Sequence, residues 1–210
     1  MLAHIRSAVV DYFKSHIVAY FFLMLIFVIG IVVGALAVKT LPDEQKTELI
    51  SYLRLFFQGL TQEGYVQEGS MLETALFNNA KTICLLWILG FTVIGIPFVF
   101  FIIFTRGFVI GFTVGFLVNE YVMKGLAFAF ASVLPHNFLA VPALLTAGVA
   151  AVSFSLSLIR RAKSRNGFFK QAVTYTLILF FTLLLMTIAG CVEVIVSPVF
   201  MKLVARILVK

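Results

Sequence analysis

Polar and apolar positions are segregated along this chain into long blocks. Apolar runs cover 17–38, 83–104, 108–123, 125–159 and 172–196, and polar residues gather between them. About 20 apolar residues in a helix rising 1.5 Å each cross a hydrocarbon core of about 30 Å, so the pattern predicts about five membrane spans. A short amphipathic segment, 1–16, precedes the first span, with Leu2, Ile5, Val9 and Phe13 on one helical face. Ala35-Leu36-Ala37 has the small-residue look of a signal cleavage site, but the apolar stretch before it exceeds a signal h-region.

The run from Gly125 to Ile159 contains no charged residue, and as one helix it would reach about 52 Å, more than a membrane needs. Leu134-Pro135-His136-Asn137 and then Pro142 interrupt it. Proline removes a backbone donor, while histidine and asparagine bring polar atoms that hydrocarbon cannot hydrate. The expectation is a half-helix to 134, an unwound turn at 134–137, and a full span beyond it. Such a joint is stable only where neighbouring helices or a water-filled cavity shield it.

The second run is expected to kink at Gly95-Ile96-Pro97, and Thr105-Arg106-Gly107 to turn a tight hairpin into the short third run. Gly107, Gly111 and Gly115 recur every fourth residue, as do Gly30 and Gly34 on the first span. Small residues on one face let another backbone approach closely. That face serves packing within the chain or the seam of a homodimer.

Residues 39–82 form the sizeable polar stretch, rich in acid: Asp43, Glu44, Glu48, Glu63, Glu68 and Glu73. Thr40 to Asp43 has capping-box spacing, and Leu49, Leu53, Phe56 and Phe57 then fall on one helical face. An amphipathic helix lying on the membrane or against a partner is predicted there.

Composition makes the setting a bilayer. Apolar residues are 62% and charged residues 12% of the 210, with mean hydropathy +1.10, far from the roughly one-quarter charged content of soluble domains. The fold class is all-α, a polytopic membrane bundle forming a single domain, 1–210. The net charge of +7 suits anionic headgroups, because the basic residues sit at the ends of apolar runs. No basic and aromatic surface of a nucleic-acid module is present. Arg160, Arg161, Lys163, Arg165 and Lys170 crowd one short loop, which places that loop and the N-terminus in the cytoplasm and the 39–82 segment outside. Cys84 and Cys191 lie in apolar runs and read as small buried hydrophobes.

Candidate chemistry is sparse. There is no HExxH, no GxSxG, no facing aspartate pair and no phosphate-binding glycine pattern, so neither a catalytic residue, a metal nor a cofactor is expected. His136 with Ser153 or Ser157 lacks an orienting carboxylate and reads as structural. Glu193 is the acidic residue deep in a predicted span, where it must be neutral or paired. By depth its partners are His136 and Asn137, which makes these three a structural polar cluster clipping the last span to the joint. A permease-like subunit of an export system, working with an ATPase, is the alternative that a broken helix leaves open.

Asn78-Asn79, the glycines from Gly107 to Gly115, Leu134-Pro135-His136-Asn137 with Pro142, and Val192-Glu193 before Ser197-Pro198 follow one another in an order that resembles the stage II sporulation protein M family. The likeness covers nearly the whole chain. Wider members follow the LPH element with glycine and then glutamate, where Asn137 and Ala140 stand here, so a role of that glutamate does not carry over. The resemblance implies a non-catalytic membrane scaffold in endospore formation. Such a scaffold gathers peptidoglycan-remodelling hydrolases, the stage II sporulation proteins D and P, at the septal or engulfing part of the bacterial cytoplasmic membrane. On that reading Leu49, Leu53, Phe56 and Phe57 form the docking face of the complex, and His136, Asn137 and Glu193 hold the bundle's shape.

Overall fold

The computed structural model describes residues 11–61, 68–160 and 165–208, and every regular element among them is a helix. Helix α1, Ile17–Ala37, ends in a 3-10 turn, Val38–Thr40. Helix α2 is Asp43–Thr61 and α3 is Glu68–Gly90. The segment Gly95–Arg160 is helical except at Val122, which divides it into α4, residues 95–121, and α5, residues 123–160. Helix α6, Arg165–Leu208, completes the bundle. Among the described residues, four stretches are long and apolar enough to cross a membrane: Ile17–Thr40, Gly95–Glu120, Pro135–Ile159 and Phe168–Val194. Helix α3 has a polar leading half and is packed against α5 and α6. Large apolar side chains such as Phe21, Phe22 and Leu25 on α1 point away from the protein, as a lipid-facing surface requires.

The hub is the Pro135–Ile159 part of α5, whose apolar 18-residue stretch is 67% buried, against 28% for that of each of the other three. Ala140, Ala143, Ala147, Ala150 and Ala151 are all buried, and their small side chains let α1, α3, α4 and α6 crowd around it. Helices α1 and α4 run parallel, with Gly107 facing Phe27, Gly111 facing Ile31 and Gly115 facing Ala35. Gly30 and Gly34 in turn lie over the backbone of Phe104 and Phe108. All five glycines are thus covered by the chain's own helices. Phe104, Phe108, Phe112 and Phe116 stack beside this seam at centroid spacings of 6.1–6.4 Å.

The chain reverses elsewhere than the apolar runs suggested. Instead of a kink at Gly95–Pro97 and a hairpin at Thr105–Gly107, a turn over 91–94 divides the 83–104 run between α3 and α4, and Arg106 sits inside α4. Proline in the first turn of a helix loses no intrahelical bond, so Pro97 opens α4 instead of bending a span. The turn is pinned from outside. The Tyr175 hydroxyl donates to the Leu86 carbonyl at 2.8 Å and to Trp87 at 3.1 Å, and Ser155 Oγ donates to the Gly90 and Thr92 carbonyls. Trp87 and Gly90 lie in the last turn of α3, where carbonyls run short of donors from their own helix, and Thr92 lies in the turn itself. Tyr175→Phe is therefore expected to cost about 1 kcal/mol, seen as a melting temperature lower by about 2–4 °C in detergent.

The second difference concerns the joint. The backbone stays helical through Pro135, His136 and Asn137, and the interruption of the 125–159 run expected at 134–137 is replaced by one at Val122, before that run begins. Asn137 Nδ2 donates to the Val133 carbonyl at 2.8 Å, which satisfies the amide within its own helix. Val122 has φ 49° and ψ −122°, a region a β-branched residue enters only under strain. Val122→Gly should relieve about 1 kcal/mol of it and raise the melting temperature, and a lowered one would contradict the assignment.

The last span lies at 168–194 rather than 172–196. At the start of α2, Thr40 turns its hydroxyl back to Ala37 instead of capping the helix, and the Pro42 carbonyl accepts the first bond, from Lys46. One end of the bundle holds the start of α1, the 91–94 turn and the end of α5. The opposite end holds Val38, Glu120 and the end of the 168–194 span.

Candidate functional site

Four helices bring polar groups together inside the bundle. Helix α3 supplies Asn79, Lys81 and Thr82, and α4 supplies Thr105, Arg106 and Thr113. Helix α5 adds His136 and Asn137, and α6 adds Glu193. They line a cavity of about 500 Å³, with Phe27, Leu144 and Met186 among its apolar walls.

Helical spacing puts each group there. Arg106, Val109, Ile110 and Thr113 lie three or four residues apart and share a face of α4, and His136, Ala140 and Leu144 share one of α5. His136 Nδ1 donates to the Ala189 carbonyl at 3.0 Å and lies 3.4 Å from Glu193 Oε2. Both neighbours accept, so the Nδ1 nitrogen carries the proton. Asn79, 4% exposed, donates from Nδ2 to the Met186 carbonyl at 3.1 Å. Gly190 makes room for it, since a Cβ there would stand 3.3 Å from the amide. Asn79 and His136 thus tie α3 and α5 to successive turns of α6.

Arg106 stands midway along its span. A guanidinium at bilayer centre costs about 2.5–3.5 kcal/mol on insertion scales unless it finds partners. It donates to Thr82 Oγ1, and Glu193 is near enough to act on it electrostatically. Glu193 thus has His136 within ion-pair distance, while Arg106 shares the cavity with it at longer range.

Of the residues singled out in the sequence, His136 and Glu193 come together. Asn137 lines the same cavity but hydrogen-bonds its own helix. Pro135 and Pro142 lie within α5. Ser153 and Ser157 are on the same helix as His136, and Ser153 is about 25 Å along it, so neither meets the histidine. Leu49 on α2 is half-buried, while the side chains of Leu53, Phe56 and Phe57 lie outside the described residues. Sequence reasoning missed Arg106, Asn79 and Thr82. The signal was there: one arginine in the middle of an otherwise apolar 95–118, opened by Gly95 and Pro97, is a span with a buried cation.

The family model described as stage II sporulation protein M matches residues 23–198, five-sixths of the chain. The chain belongs to that family. Neither a curated protein nor a solved structure matches it. Within the matched region fall the whole cavity and the α1–α4 seam, so the polar cluster belongs to the part of the chain that carries membership in this sporulation family. The protein is an integral membrane protein, built as an all-α bundle.

Proposed function

We propose that this member of the family is a non-catalytic scaffold that recruits and localises peptidoglycan-remodelling hydrolases, the stage II sporulation proteins D and P, to the septal membrane during engulfment. The observation that supports the reading is α2. It is an amphipathic helix beside the membrane bundle that packs, among the described helices, against α6 alone, and it leaves Tyr52 and Leu55 64% exposed. A helix that packs on the bundle through one neighbour and keeps an aromatic and a leucine side chain exposed suits docking of a partner. The N-terminus and the basic 160–170 segment then lie in the cytoplasm and α2 outside, where wall hydrolases work. His136, Asn137 and Glu193 serve the bundle's shape.

Leu53→Glu with Phe57→Glu tests it in sporulating cells. Co-purification of the hydrolases should drop about tenfold or more, the scale of losing two apolar contacts, while the amount of protein in the membrane is unchanged. Unchanged recruitment would refute the docking face. A homodimer would have to use a face other than the glycine seam, which α1 and α4 fill.

The polar cavity supports a second reading, a permease-like subunit driven by an ATPase. A pull-down from membranes separates the two: an ATPase without wall hydrolases favours the permease, and hydrolases without an ATPase favour the scaffold.

A further inference from the structure

The cavity has features that shape-keeping leaves unused. Arg106 makes one hydrogen bond among the described residues, to Thr82, although a guanidinium carries five N–H donors. No buried side-chain nitrogen or oxygen among the described residues lacks a partner, so the remaining donors open into the cavity space. Lys81 adds a second cation at the wall, against the single carboxylate of Glu193. The site therefore carries excess positive charge at the depth of a membrane interior, where water screens it poorly.

Its mouth is lateral. Leu85 on α3 and Phe101 and Val109 on α4 line it and are exposed on the lipid-facing surface. A ligand entering there comes from the bilayer, and its tail rests on apolar side chains while its polar end reaches Arg106.

We propose that this cavity binds the phosphate group of an anionic lipid, with Arg106 as the anchor, Lys81 at the rim and the acyl chains leaving between α3 and α4. Guanidinium and phosphate match in a bidentate geometry, and a lipid supplies both the missing anion and the apolar occupant of the mouth. Glu193 opposes the anion and limits its affinity.

The test uses the full chain purified in a neutral detergent, titrated with phosphatidylglycerol, phosphatidylcholine and glycerol 3-phosphate, with bound lipid read by native mass spectrometry. Phosphatidylglycerol should bind about tenfold or more tighter than phosphatidylcholine, whose headgroup carries its own cation. Arg106→Gln should abolish the difference, and Glu193→Gln should enlarge it. Val109→Trp, which keeps every charge and fills the mouth, should lose phosphatidylglycerol, and it decides the matter if Arg106→Gln does not fold. Equal binding of the two lipids, or a preference surviving Val109→Trp, overturns the site. Displacement of phosphatidylglycerol by glycerol 3-phosphate at equal concentration would make it a soluble-phosphate site and overturn the lipid assignment.

Discussion

Gly34→Leu and Gly111→Leu are each expected to destabilise the bundle by about 3 kcal/mol or more, at or beyond the top of the usual range for overpacking. At both positions a Cβ would fall on a backbone carbonyl, that of Phe108 for Gly34 and that of Ile31 for Gly111. Backbone cannot swing aside as a side chain does, so α1 and α4 must separate along their whole seam. Melting followed by the fluorescence of Trp87, the single tryptophan, reads the loss. Gly148→Ala is the control: its new methyl would meet the far ends of Ile103 at 3.2 Å and Leu23 at 3.3 Å, which can give way. That variant should stay within about 1 kcal/mol of the parent, because alanine also favours the helix. Equal melting of all three would show that the two helices do not touch through their glycines.

Glu193→Gln should cost about 2 kcal/mol, less than for a fully buried pair because its side chain is 46% exposed to the cavity and its surroundings. That cost combines the lost contact with His136 and the lost longer-range attraction to Arg106. Adding Arg106→Gln should then restore part of the loss, so the cycle of the two changes deviates from additivity by about 1 kcal/mol or more. Glu193→Gln with His136→Ala should couple at least as strongly, because the imidazole lies 3.4 Å from the carboxylate. Strict additivity of Arg106 and Glu193 would dissolve the cluster as an energetic unit.

What could be read from the sequence follows from what lipid selects. Hydrocarbon rejects polar side chains wherever they face it, so helix content and membrane residence are legible from apolar runs alone. The placement of reversals is not. Arg106 looked like a loop because charge normally marks the membrane surface, yet Thr82 and Glu193 come from helices 24 and 87 positions away in the chain, and no local pattern announces them. Pro135 looked like a break because its lost donor is visible in sequence, whereas the packing at the centre of the bundle that holds the helix through it is visible only once the fold is drawn. Reasoning by depth did lead from Glu193 to His136, since two costly groups at one level have few other neighbours. The glycine spacing was plain, but that its partner is α1 rather than a second copy depends on the parallel pairing, which only the fold displays.

That parallel pairing sets an order of biogenesis. Two neighbouring helices pointing the same way need a third to bring the chain back, so α1 waits in the bilayer while α2, α3 and most of α4 are synthesised. At about 5–20 residues per second the delay between residue 37 and residue 115 is about 4–16 s. During that time the groove of Gly30 and Gly34 faces lipid, open to the helix of any other nascent protein with small residues at the same spacing.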